Sequence, residues 1–549
     1  MKVVVLGGYG VFGERVVHLL CRDGHDVVIA GRNLNSAQAL AGQVGATALQ
    51  LDRTGDLGPL FDLAPDVVVD AAGPFHAYGD DPYGFARAVL ERGMHYLDLC
   101  DDADFCKGIS ALDDLARDKG CFALSGLSSV PAVSSAAVAA LADGLEEIDT
   151  IESAILPGNR APRGKSVIAS ILSQAGQPMQ IWRGGQWDQM RSWSDPVRYQ
   201  LAPGLRRQGW VINVPDLQLF PEAFGARTVM FRAGLELGVM NYGLGAFSWA
   251  RGKLGFPVGE PLFSLTRAAA QMLWPFGSDR GGMVVHVTGR EGVRWIRRSW
   301  YLVAEQGEGP FIPAVATRAA LRAPDRITPG ARAAVASLDL AQIEDAISDL
   351  AVETLRKEQD IIPAFQQVLG DSFHDLPEPV QASHQTVGTL RMVGTSQISR
   401  GTHPLSRLTG WLFRFPKAND DIPVEVIKTR QGKTEVWERN FDGHRFRSYL
   451  TPGENGMIER FGPISFLLGL HVKDRALHFP VLSARAFNLI PIPKWLLPIS
   501  VATESAENGQ FRFDVKLSAP IGIGLVVHYR GQLRSVGQGL ADQDVARSA

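Results

Sequence analysis

Residues 1–13 read MKVVVLGGYGVFG, and this opening segment decides the fold of the N-terminal part of the chain. A short apolar run leads into Gly8, Gly10 and Gly13, which have the G-x-G-x-x-G spacing, and a helix is predicted from 11 to 21. In a dinucleotide-binding turn, Gly8 permits the tight bend, Gly10 lets the backbone approach a pyrophosphate, and Gly13 lets the helix pack closely on the strand. The N–H groups at the start of the helix then face the phosphates. The predicted cofactor contacts are Gly7, Gly8, Tyr9, Gly10, Val11, Phe12 and Gly13.

The end of the second predicted strand indicates which dinucleotide binds. This strand covers 26–30 and is followed by Gly31-Arg32-Asn33. NAD sites usually place a carboxylate here to hold the ribose 2′-hydroxyl, and this sequence has none. The guanidinium of Arg32 instead matches a 2′-phosphate, because its donors fit phosphate oxygens. The sequence therefore predicts NADP(H), with Arg32 and Asn33 beside the ribose; a solvated loop cation is the alternative for Arg32.

Four further strands, alternating with helices, are predicted before residue 126. They are Ala46–Leu51, Asp66–Asp70, His95–Leu99 and Cys121–Ser125. Strands and helices that alternate at this spacing predict an α/β Rossmann domain, a doubly wound parallel sheet with strand order 3-2-1-4-5-6. Asp52, after the third strand, is predicted to reach the adenine. Small residues and a phenylalanine after the fourth strand are predicted to lie beside the cofactor, namely Ala72, Gly73, Pro74 and Phe75.

A length of 549 residues predicts about three domains. We expect the nucleotide-binding domain at 1–130, an α+β domain for substrate and dimerisation at 131–309, and a β-rich domain at 370–535. Helices between about 310 and 360, including one at 343–356, are expected to pack back on the first domain. Turn signals between short apolar runs support the β-rich domain, which is predicted to be a curved antiparallel sheet around an apolar cavity. The tail, 536–549, is expected to be disordered.

The amino-acid composition indicates which binding partners and which cellular compartment to expect. The net charge is −3 without a basic tract, which gives no reason to expect nucleic acid as a partner. The four cysteines show no zinc spacing, and no secretory signal accompanies them, so we expect no metal and a reduced, cytoplasmic setting.

The most apolar late segment is 486–499, which contains three prolines and Lys494. A transmembrane span needs about 20 apolar residues, and this segment is too short and too broken to be one. We expect it to be a buried loop, while peripheral contact with a membrane surface stays open.

Several motifs occur in an order that resembles the saccharopine dehydrogenase-like oxidoreductases. They are GGYGVFG at 7–13, AAGPF at 71–75, GMHYLDLCDD at 93–102, SGLSSVP at 125–131 and GPFIPAVA at 309–316. The resemblance covers about 1–355 and implies that the glycine turn holds NADP(H) or NAD(H), with 73–75 beside the nicotinamide. It also implies hydride transfer at a carbon–nitrogen bond and a middle domain that shapes the substrate pocket and often dimerises. The C-terminal region resembles the DUF4166 domain, which implies no chemistry.

The acid–base residues are less clearly marked. No tyrosine has a lysine four positions later, which argues against a short-chain dehydrogenase. His76 follows the 73–75 turn, and an imidazole titrates near neutral pH, so we predict that it exchanges protons at the nicotinamide. A loop histidine bonded to the backbone is the alternative for His76. Tyr78 and Asp98 are the second candidates.

For the substrate, we nominate three cations that would grip carboxylates: Arg163, Lys165 and Arg183. The stretch 182–283 is rich in tryptophan, phenylalanine and leucine, which suits an apolar substrate, although a core with dimer contacts gives the same pattern. The sequence thus predicts an NADP(H)-dependent oxidoreductase that acts on a small molecule and forms a homodimer. A non-catalytic NADP-binding sensor or a lipid-handling protein is the alternative.

Overall fold

The structure is a computed structural model that describes residues 1–161, 165–412, 415–520 and 523–536. The chain folds into two compact units. The first contains 1–182, 187–289 and 297–359, and the second contains 183–186, 290–296 and 360–549. The predicted tail beyond Val536 and the candidate Arg163 lie outside the described residues.

The first unit begins with strands that alternate with helices. The strands are β1 (Lys2–Leu6), β2 (Asp26–Gly31), β3 (Thr47–Gln50), β4 (Val67–Asp70), β5 (His95–Asp98) and β6 (Phe122–Ser125). The helices are α1 (Gly13–Arg22), α2 (Leu34–Val44), α3 (Gly58–Asp62), α4 (Gly84–Glu91), α5 (Ala103–Gly108) and α6 (Asp113–Asp118). The valine-rich runs of β1 and β4 are buried on both faces, as the strands of a parallel sheet covered by helices must be.

A mixed α/β region follows. Its helices are α7 (Ser134–Ala142), α8 (Lys165–Gln174), α9 (Asp216–Phe224), α10 (Gly238–Leu254) and α11 (Glu260–Leu273). Its strands are β7 (Glu147–Leu156), β8 (Pro178–Arg183), β9 (Gln186–Arg191), β10 (Val197–Ala202), β11 (Leu205–Val211), β12 (Thr228–Ala233), β13 (Gly281–Glu291) and β14 (Arg294–Ala304). Helix α9 packs against α5 and α7, so it lies where this region meets the carboxyl edge of the first sheet.

The chain then returns to both sheets of the first unit through α12 (Ile312–Arg322), β15 (Gly330–Ala333), α13 (Leu340–Ala346) and β16 (Val352–Asp360). Helix α12 packs on α1, as expected, and Arg318 forms a 2.6 Å ion pair with Asp23. Strand β15 pairs in parallel with β6. The first sheet therefore has the order β15-β6-β5-β4-β1-β2-β3, which confirms the predicted 3-2-1-4-5-6 order and adds a strand at its edge.

The prediction of one helix over 343–356 is wrong. Helix α13 ends at Ala346, and β16 joins β14 at the edge of the second sheet, whose order is β10-β11-β12-β7-β13-β14-β16. Most side chains of β16 are polar and exposed, which is typical of an edge strand. Backbone pairing with β14 overrides the local helix propensity of this segment, and the region from 310 to 360 supplies strands as well as helices.

The second unit is dominated by one antiparallel sheet. Its helices are α14 (Ala364–Leu369), α15 (Glu378–His384) and α16 (Pro404–Leu412). Its strands are β17 (Thr389–Arg400), β18 (Asn419–Gln431), β19 (Thr434–Phe441), β20 (His444–Gly453), β21 (Gly456–Phe461), β22 (Ile464–Leu468), β23 (His471–Lys473), β24 (Ala476–His478), β25 (Val481–Ala486), β26 (Ile490–Ile492), β27 (Ile499–Glu507), β28 (Gln510–Ala519) and β29 (Gly524–Ser535). In the described chain their order is β23-β24-β27-β28-β29-β17-β18-β19-β20-β21-β22-β25-β26, which confirms the β-rich class.

The prediction that 486–499 is a buried loop is wrong. Leu489 is 80% exposed and Trp495 is 65% exposed, and the segment forms the short edge strand β26 and the beginning of β27. Its prolines cannot donate to a sheet ladder, which confines the segment to an edge. Within the described residues, no helix combines the length and apolar character that crossing a membrane requires.

Candidate functional site

The glycine turn between β1 and α1 is built around Gly7. Gly7 has a φ of +73°, and a Cβ at this position would stand 2.8 Å from the Cα of Ala72. The tight bend therefore requires glycine at position 7, whereas the sequence interpretation placed it at Gly8. A Cβ on Gly8 would instead approach the carbonyl oxygen of Val5 at 3.0 Å. Both glycines hold the turn close to neighbouring backbone.

Gly10 differs from these two because it faces open space. If a Cβ were added to Gly10, one described atom outside its chain neighbours would lie within 4 Å of it, the carbonyl oxygen of Gly7 at 3.1 Å. The backbone N–H groups of Val11, Phe12 and Gly13 donate to no other described residue. Free donors at the positive end of a helix, beside an open glycine, fit a diphosphate group. A Cβ on Gly13 would overlap the carbonyl group of Gly7, so Gly13 lets the helix approach the turn, whereas the sequence predicted a close approach to the strand.

The end of β2 presents Arg32 to solvent, and Arg32 forms no ion pair with any described residue. Asp52, after β3, is also exposed and accepts hydrogen bonds from the Thr54 N–H and hydroxyl at 3.0 and 2.8 Å. These bonds lower the pKa of Asp52, and the charges of Arg32 and Arg53 lower it further. The Asn33 side chain caps α2 by accepting from the Ser36 N–H at 3.1 Å. The edge of β2 and β3 thus carries exposed Arg32, without an ion pair to a described residue, near an ionised carboxylate.

The carboxyl end of β4 holds Asp70, which is fully buried. Its oxygens accept hydrogen bonds from the Ala72 N–H at 3.0 Å, the Tyr78 hydroxyl at 2.9 Å and the Tyr96 hydroxyl at 3.4 Å. Burial raises the pKa of Asp70, and burial together with the Asp70 charge raises the pKa of Tyr78 far above its usual value. The Tyr78 ring stacks on Phe75 with centroids 4.9 Å apart. The Tyr78 proton is therefore held by Asp70.

His76 lies on a short 3₁₀ turn, Phe75–Ala77, directly after this cluster. Its side chain is exposed, as are Gly73 and Pro74, while Phe75 is buried beneath them. The turn after β4 therefore presents His76 at the carboxyl edge of the sheet, where ligands bind in open α/β folds.

Asp98 ends β5 and is fully buried. Its Oδ1 accepts hydrogen bonds from the Ser125 hydroxyl at 2.9 Å, the Gly126 N–H at 2.8 Å and the Cys100 N–H at 3.0 Å. Its Oδ2 has no partner among the described residues. Burial raises the pKa of Asp98 to about 7, and the hydrogen bonds oppose this shift. Asp98 thus ties β5 to the loop after β6.

The sequence analysis missed Asp216, the first residue of α9. The residue is 1% exposed, and neither carboxylate oxygen has a hydrogen-bond partner in the described part of the chain. Burial raises the pKa of Asp216 to about 7, against a smaller opposing effect of the Ser134 hydroxyl. An acidic residue in the first turn of a helix is common, so nothing in the sequence marks this one as enclosed. Strongly perturbed, unpartnered carboxyl groups are concentrated at functional sites.

A second buried network crosses the mixed sheet. Glu152 accepts hydrogen bonds from Tyr199 at 2.6 Å, Arg232 at 2.8 Å and Arg297 at 3.0 Å. Burial alone would raise the pKa of Glu152, but Arg232 and Arg297 lower it to about 2. Because these charges satisfy one another across neighbouring strands, we interpret this network as structural.

No described contact brings the three predicted substrate-binding cations together at the carboxyl edge of the first sheet. Arg183 belongs to the second unit and forms an ion pair with Glu438 at 3.5 Å. Lys165 begins α8, but its side chain and all of Arg163 lie outside the described part. Among the described residues, no three histidine, cysteine or acidic side chains are grouped so that they could hold a metal ion.

Comparison with known proteins agrees with this geometry. Residues 3–124 match the saccharopine dehydrogenase NADP binding domain, and residues 376–533 match DUF4166, a domain of unknown function. Together with the parallel sheet and the glycine turn, the first match supports an NAD(P)-dependent oxidoreductase. The chain thus joins a segment similar to the saccharopine dehydrogenase NADP binding domain to a segment similar to DUF4166.

No curated protein sequence is significantly similar to this chain. Among solved structures, apo saccharopine dehydrogenase (L-Glu forming) from Saccharomyces cerevisiae aligns at 15% identity over 66% of this chain and 100% of its own, with a TM-score of 0.47. A "probable dehydrogenase" from Thermotoga maritima aligns at 8% identity over 63% of this chain and 93% of its own, with a TM-score of 0.33.

Proposed function

We propose that the protein is an NADP(H)-dependent oxidoreductase that transfers hydride to or from a carbon–nitrogen bond, or a related carbonyl, of a small molecule. One observation carries the proposal: the turn that is open at Gly10 is followed, at the end of β2, by exposed Arg32 in place of a carboxylate. An uncommitted guanidinium favours a 2′-phosphate over a 2′-hydroxyl.

The cofactor, when bound, supplies or accepts the hydride, and the residues of this chain position it. The free N–H groups at the start of α1 hold the diphosphate beside Gly10. Arg32 binds the 2′-phosphate, with Asn33 and Asp52 beside the adenosine. The segment Ala72–Phe75 lies along the nicotinamide, where its small exposed residues leave room for the ring.

We propose His76 as the residue that exchanges a proton with the substrate nitrogen or oxygen. Of the three acid–base candidates, His76 alone is exposed in the described structure. Tyr78 donates to Asp70, and Asp98 is enclosed by β6 and its loop. A group that delivers a proton must reach within hydrogen-bond distance of the substrate, which His76 can do without loss of existing contacts.

We propose that Asp216 binds the positive nitrogen of the substrate. Its carboxylate oxygens have no described partner, and an iminium or ammonium group would supply both the charge and the donors that they lack. Helix α9 places Asp216 beside α7, next to the loop that follows β6. Such a group would offset the desolvation of this buried carboxyl group, which the nearby Ser134 hydroxyl offsets only in part.

We also propose that the protein is a homodimer. Helices α10 and α11 and the turn that follows them expose several large apolar side chains, namely Tyr242, Trp249, Leu265, Met272 and Phe276. Exposed apolar groups at this density are typical of an association surface. Light scattering on the whole chain should give twice the monomer mass, and Trp249→Ser with Met272→Ser should return it to the monomer mass.

The activity is tested by mixing the protein with NADPH in a stopped-flow instrument against panels of imines, 2-oxo acids with amines, and enones. We expect oxidation of NADPH with at least one imine or oxo-acid/amine pair, and no oxidation by Gly10→Val, which cannot hold the cofactor. Tight NADPH binding without turnover in any panel would contradict the enzymatic role and support a non-catalytic NADP-binding sensor.

A further inference from the structure

The antiparallel sheet of the second unit encloses a cavity of about 230 Å³. Most of its wall is apolar, and eight phenylalanines of the described chain contribute to it, among them Phe441, Phe446, Phe511 and Phe513. For scale, an apolar protein cavity of about 150 Å³ accepts benzene. The space in this domain is therefore large enough for an organic molecule with several more carbon atoms than benzene.

Four charged residues of the described chain line the cavity, two basic and two acidic. They are Lys428, Arg439, Glu459 and Glu504. Lys428 donates to the Ser383 carbonyl oxygen at 2.6 Å and lies 4.1 Å from the centre of the Trp437 ring.

The remaining charges also have partners. Arg439 donates to the Ser448 hydroxyl at 2.8 Å and stands 3.7 Å from Glu459. Glu504 is hydrogen-bonded to His384, whose pKa burial lowers to about 4, so this partner is neutral at pH 7 and the counter-charge of Glu504 is Lys428. A charged guest would leave one buried charge without a counter-charge, which is costly in an apolar surrounding. The lining therefore selects an uncharged molecule.

Among the polar side chains of the described wall, Tyr529 is an aromatic one that such a guest could contact. Tyr529 lines the cavity, and no hydrogen bond joins its hydroxyl to a described residue. Burial raises the pKa of Tyr529 to about 12, so the hydroxyl stays protonated at neutral pH. A buried tyrosine hydroxyl usually has a partner, and a hydroxyl, carbonyl or ether group on the guest would be one.

Two segments of the cavity wall indicate where the guest comes from. Thr409 of α16 and Pro498 before β27 belong to the lining. The same two segments expose large apolar side chains to solvent, Leu408 and Trp411 in the first and Leu489, Trp495 and Ile499 in the second. An apolar rim with tryptophans is typical of a surface that sits in the interfacial region of a bilayer.

We propose that the C-terminal domain takes up one uncharged apolar molecule, with a single hydroxyl, carbonyl or ether group, from a lipid bilayer on which these two segments of the cavity wall dock. Apolar burial holds the carbon skeleton, Tyr529 hydrogen-bonds to the polar group, and the balanced charges exclude ionised analogues.

The first test measures binding to the whole chain without NADPH, so that its outcome is independent of the oxidoreductase activity. The neutral fluorescent probe N-phenyl-1-naphthylamine should bind with enhanced emission, and 1-octanol should displace it. Octanoate, which has the same chain length and a charged end, should need a concentration about tenfold higher or more. Equal displacement by both compounds, or an absence of probe binding, would overturn the proposal.

Two variants locate the site. Ala502→Trp fills the cavity and should weaken probe binding about tenfold or more, whereas Val501→Trp, on the exposed face of the same strand, should not change it. Tyr529→Phe removes only a hydroxyl and should weaken 1-octanol about two- to tenfold, which keeps the test valid if Ala502→Trp does not fold. Unchanged 1-octanol affinity in Tyr529→Phe would contradict the role given to this hydroxyl.

Co-sedimentation with phosphatidylcholine vesicles tests whether the guest molecule comes from a bilayer. We expect the whole chain to sediment with the vesicles, and the double variant Leu489→Ser, Trp495→Ser to stay in the supernatant. Val293→Ser removes an apolar side chain that is even more exposed and is not part of the cavity lining, and it should behave as the parent protein. Two results would contradict the proposal that the guest comes from a bilayer. One is probe binding without vesicle binding, and the other is an equal effect of the Leu489→Ser, Trp495→Ser double variant and the Val293→Ser control.

Discussion

The guanidinium carbon of Arg53 lies 3.6 Å from the centre of the Tyr78 ring, whose hydroxyl donates to buried Asp70 at 2.9 Å. This cation–π contact ties the loop after β3 to the turn after β4, the two loops that flank the cofactor-binding edge. Arg53 thus holds the ring face of Tyr78, and the hydrogen bond to Asp70 holds its hydroxyl. We infer that it shapes the edge of the site and takes no part in proton transfer.

Replacement of Tyr78 by phenylalanine separates these two roles. Tyr78→Phe leaves Asp70 Oδ2 with only the 3.4 Å bond from Tyr96, so the free energy of unfolding should fall by about 1–3 kcal/mol. The value of kcat should stay within about threefold, whereas loss of a general acid costs about 10²–10⁴-fold. Urea denaturation and steady-state kinetics measure the two effects. Tyr83→Phe, which loses a 3.1 Å bond to the Phe105 carbonyl oxygen, is the matched control, and a large fall in kcat for Tyr78→Phe alone would restore Tyr78 as an acid.

The open face of Gly10 gives a second prediction. Gly10→Val should abolish NADPH binding while the far-ultraviolet circular dichroism stays unchanged, because the new side chain occupies the space of the diphosphate and meets little protein. Isothermal titration calorimetry measures the binding. Gly42→Val, on α2 with no atom within 4 Å of the added Cβ, is the control and should bind NADPH normally. Normal binding by Gly10→Val would show that the turn does not hold the phosphates.

Asp216 gives a pH dependence with a defined sign. Burial raises its folded-state pKa to about 7, above the value of about 3.9 in an unfolded chain. The folded state therefore binds the proton more tightly, and this stabilisation, complete below about pH 4, is lost as the pH rises through about 7. Asp216→Asn should flatten the curve of Tm against pH and stabilise the protein by about 2–4 kcal/mol at pH 8. Parallel curves for the parent and the variant between pH 4 and 8 would contradict the raised pKa.

The same variant separates stability from function. If Asp216 binds the substrate nitrogen, Asp216→Asn should raise KM for a cationic substrate even though the protein is more stable, since functional groups are often destabilising. An unchanged KM would assign Asp216 to the fold alone.

Asp52 should oppose the binding of a 2′-phosphate. Its pKa is lowered by the hydrogen bonds from Thr54 and by the charges of Arg32 and Arg53, so the carboxylate is ionised at neutral pH. Asp52→Asn should therefore raise the affinity for NADPH about two- to fivefold at low salt, with a smaller change for NADH. Fluorescence titration of both cofactors measures the effect, and a drop in NADPH affinity would show that Asp52 supports the adenosine instead.

Much of the fold could be predicted because local patterns and topology agree. The valine runs of β1 and β4 are covered on both faces, so their sequence identifies buried parallel strands. The Asp442-Gly443 turn has positive φ at both residues, as a two-residue hairpin requires, and it was found from those letters alone. The segment 352–360 was misjudged because its strand state comes from pairing with β14, a long-range contact that periodicity does not record.

Site residues could be predicted from the sequence where the backbone geometry requires one residue type. They could be predicted much less well where the role of a residue depends on its burial in the fold. Glycines 10 and 13 follow from the motif, yet the positive φ belongs to Gly7, which only the approach of the 71–72 backbone reveals. Asp216 could not be identified, since its desolvation depends on α7 packed against α9. The exposure of 487–499 likewise depends on the fold: no layer covers this segment in the described structure, and its apolar composition does not reveal this.

The most direct test of the central claim is the affinity of the whole protein and of Arg32→Ala for NADPH and NADH, measured by fluorescence titration at one ionic strength. The parent protein should bind NADPH about tenfold or more tightly than NADH, and Arg32→Ala should lose that difference while its NADH affinity stays within about twofold. Arg117→Ala, an exposed arginine on α6 paired with Asp113, is the control and should leave both affinities unchanged. Equal losses for both cofactors in Arg32→Ala, or a preference of the parent protein for NADH, would contradict the account.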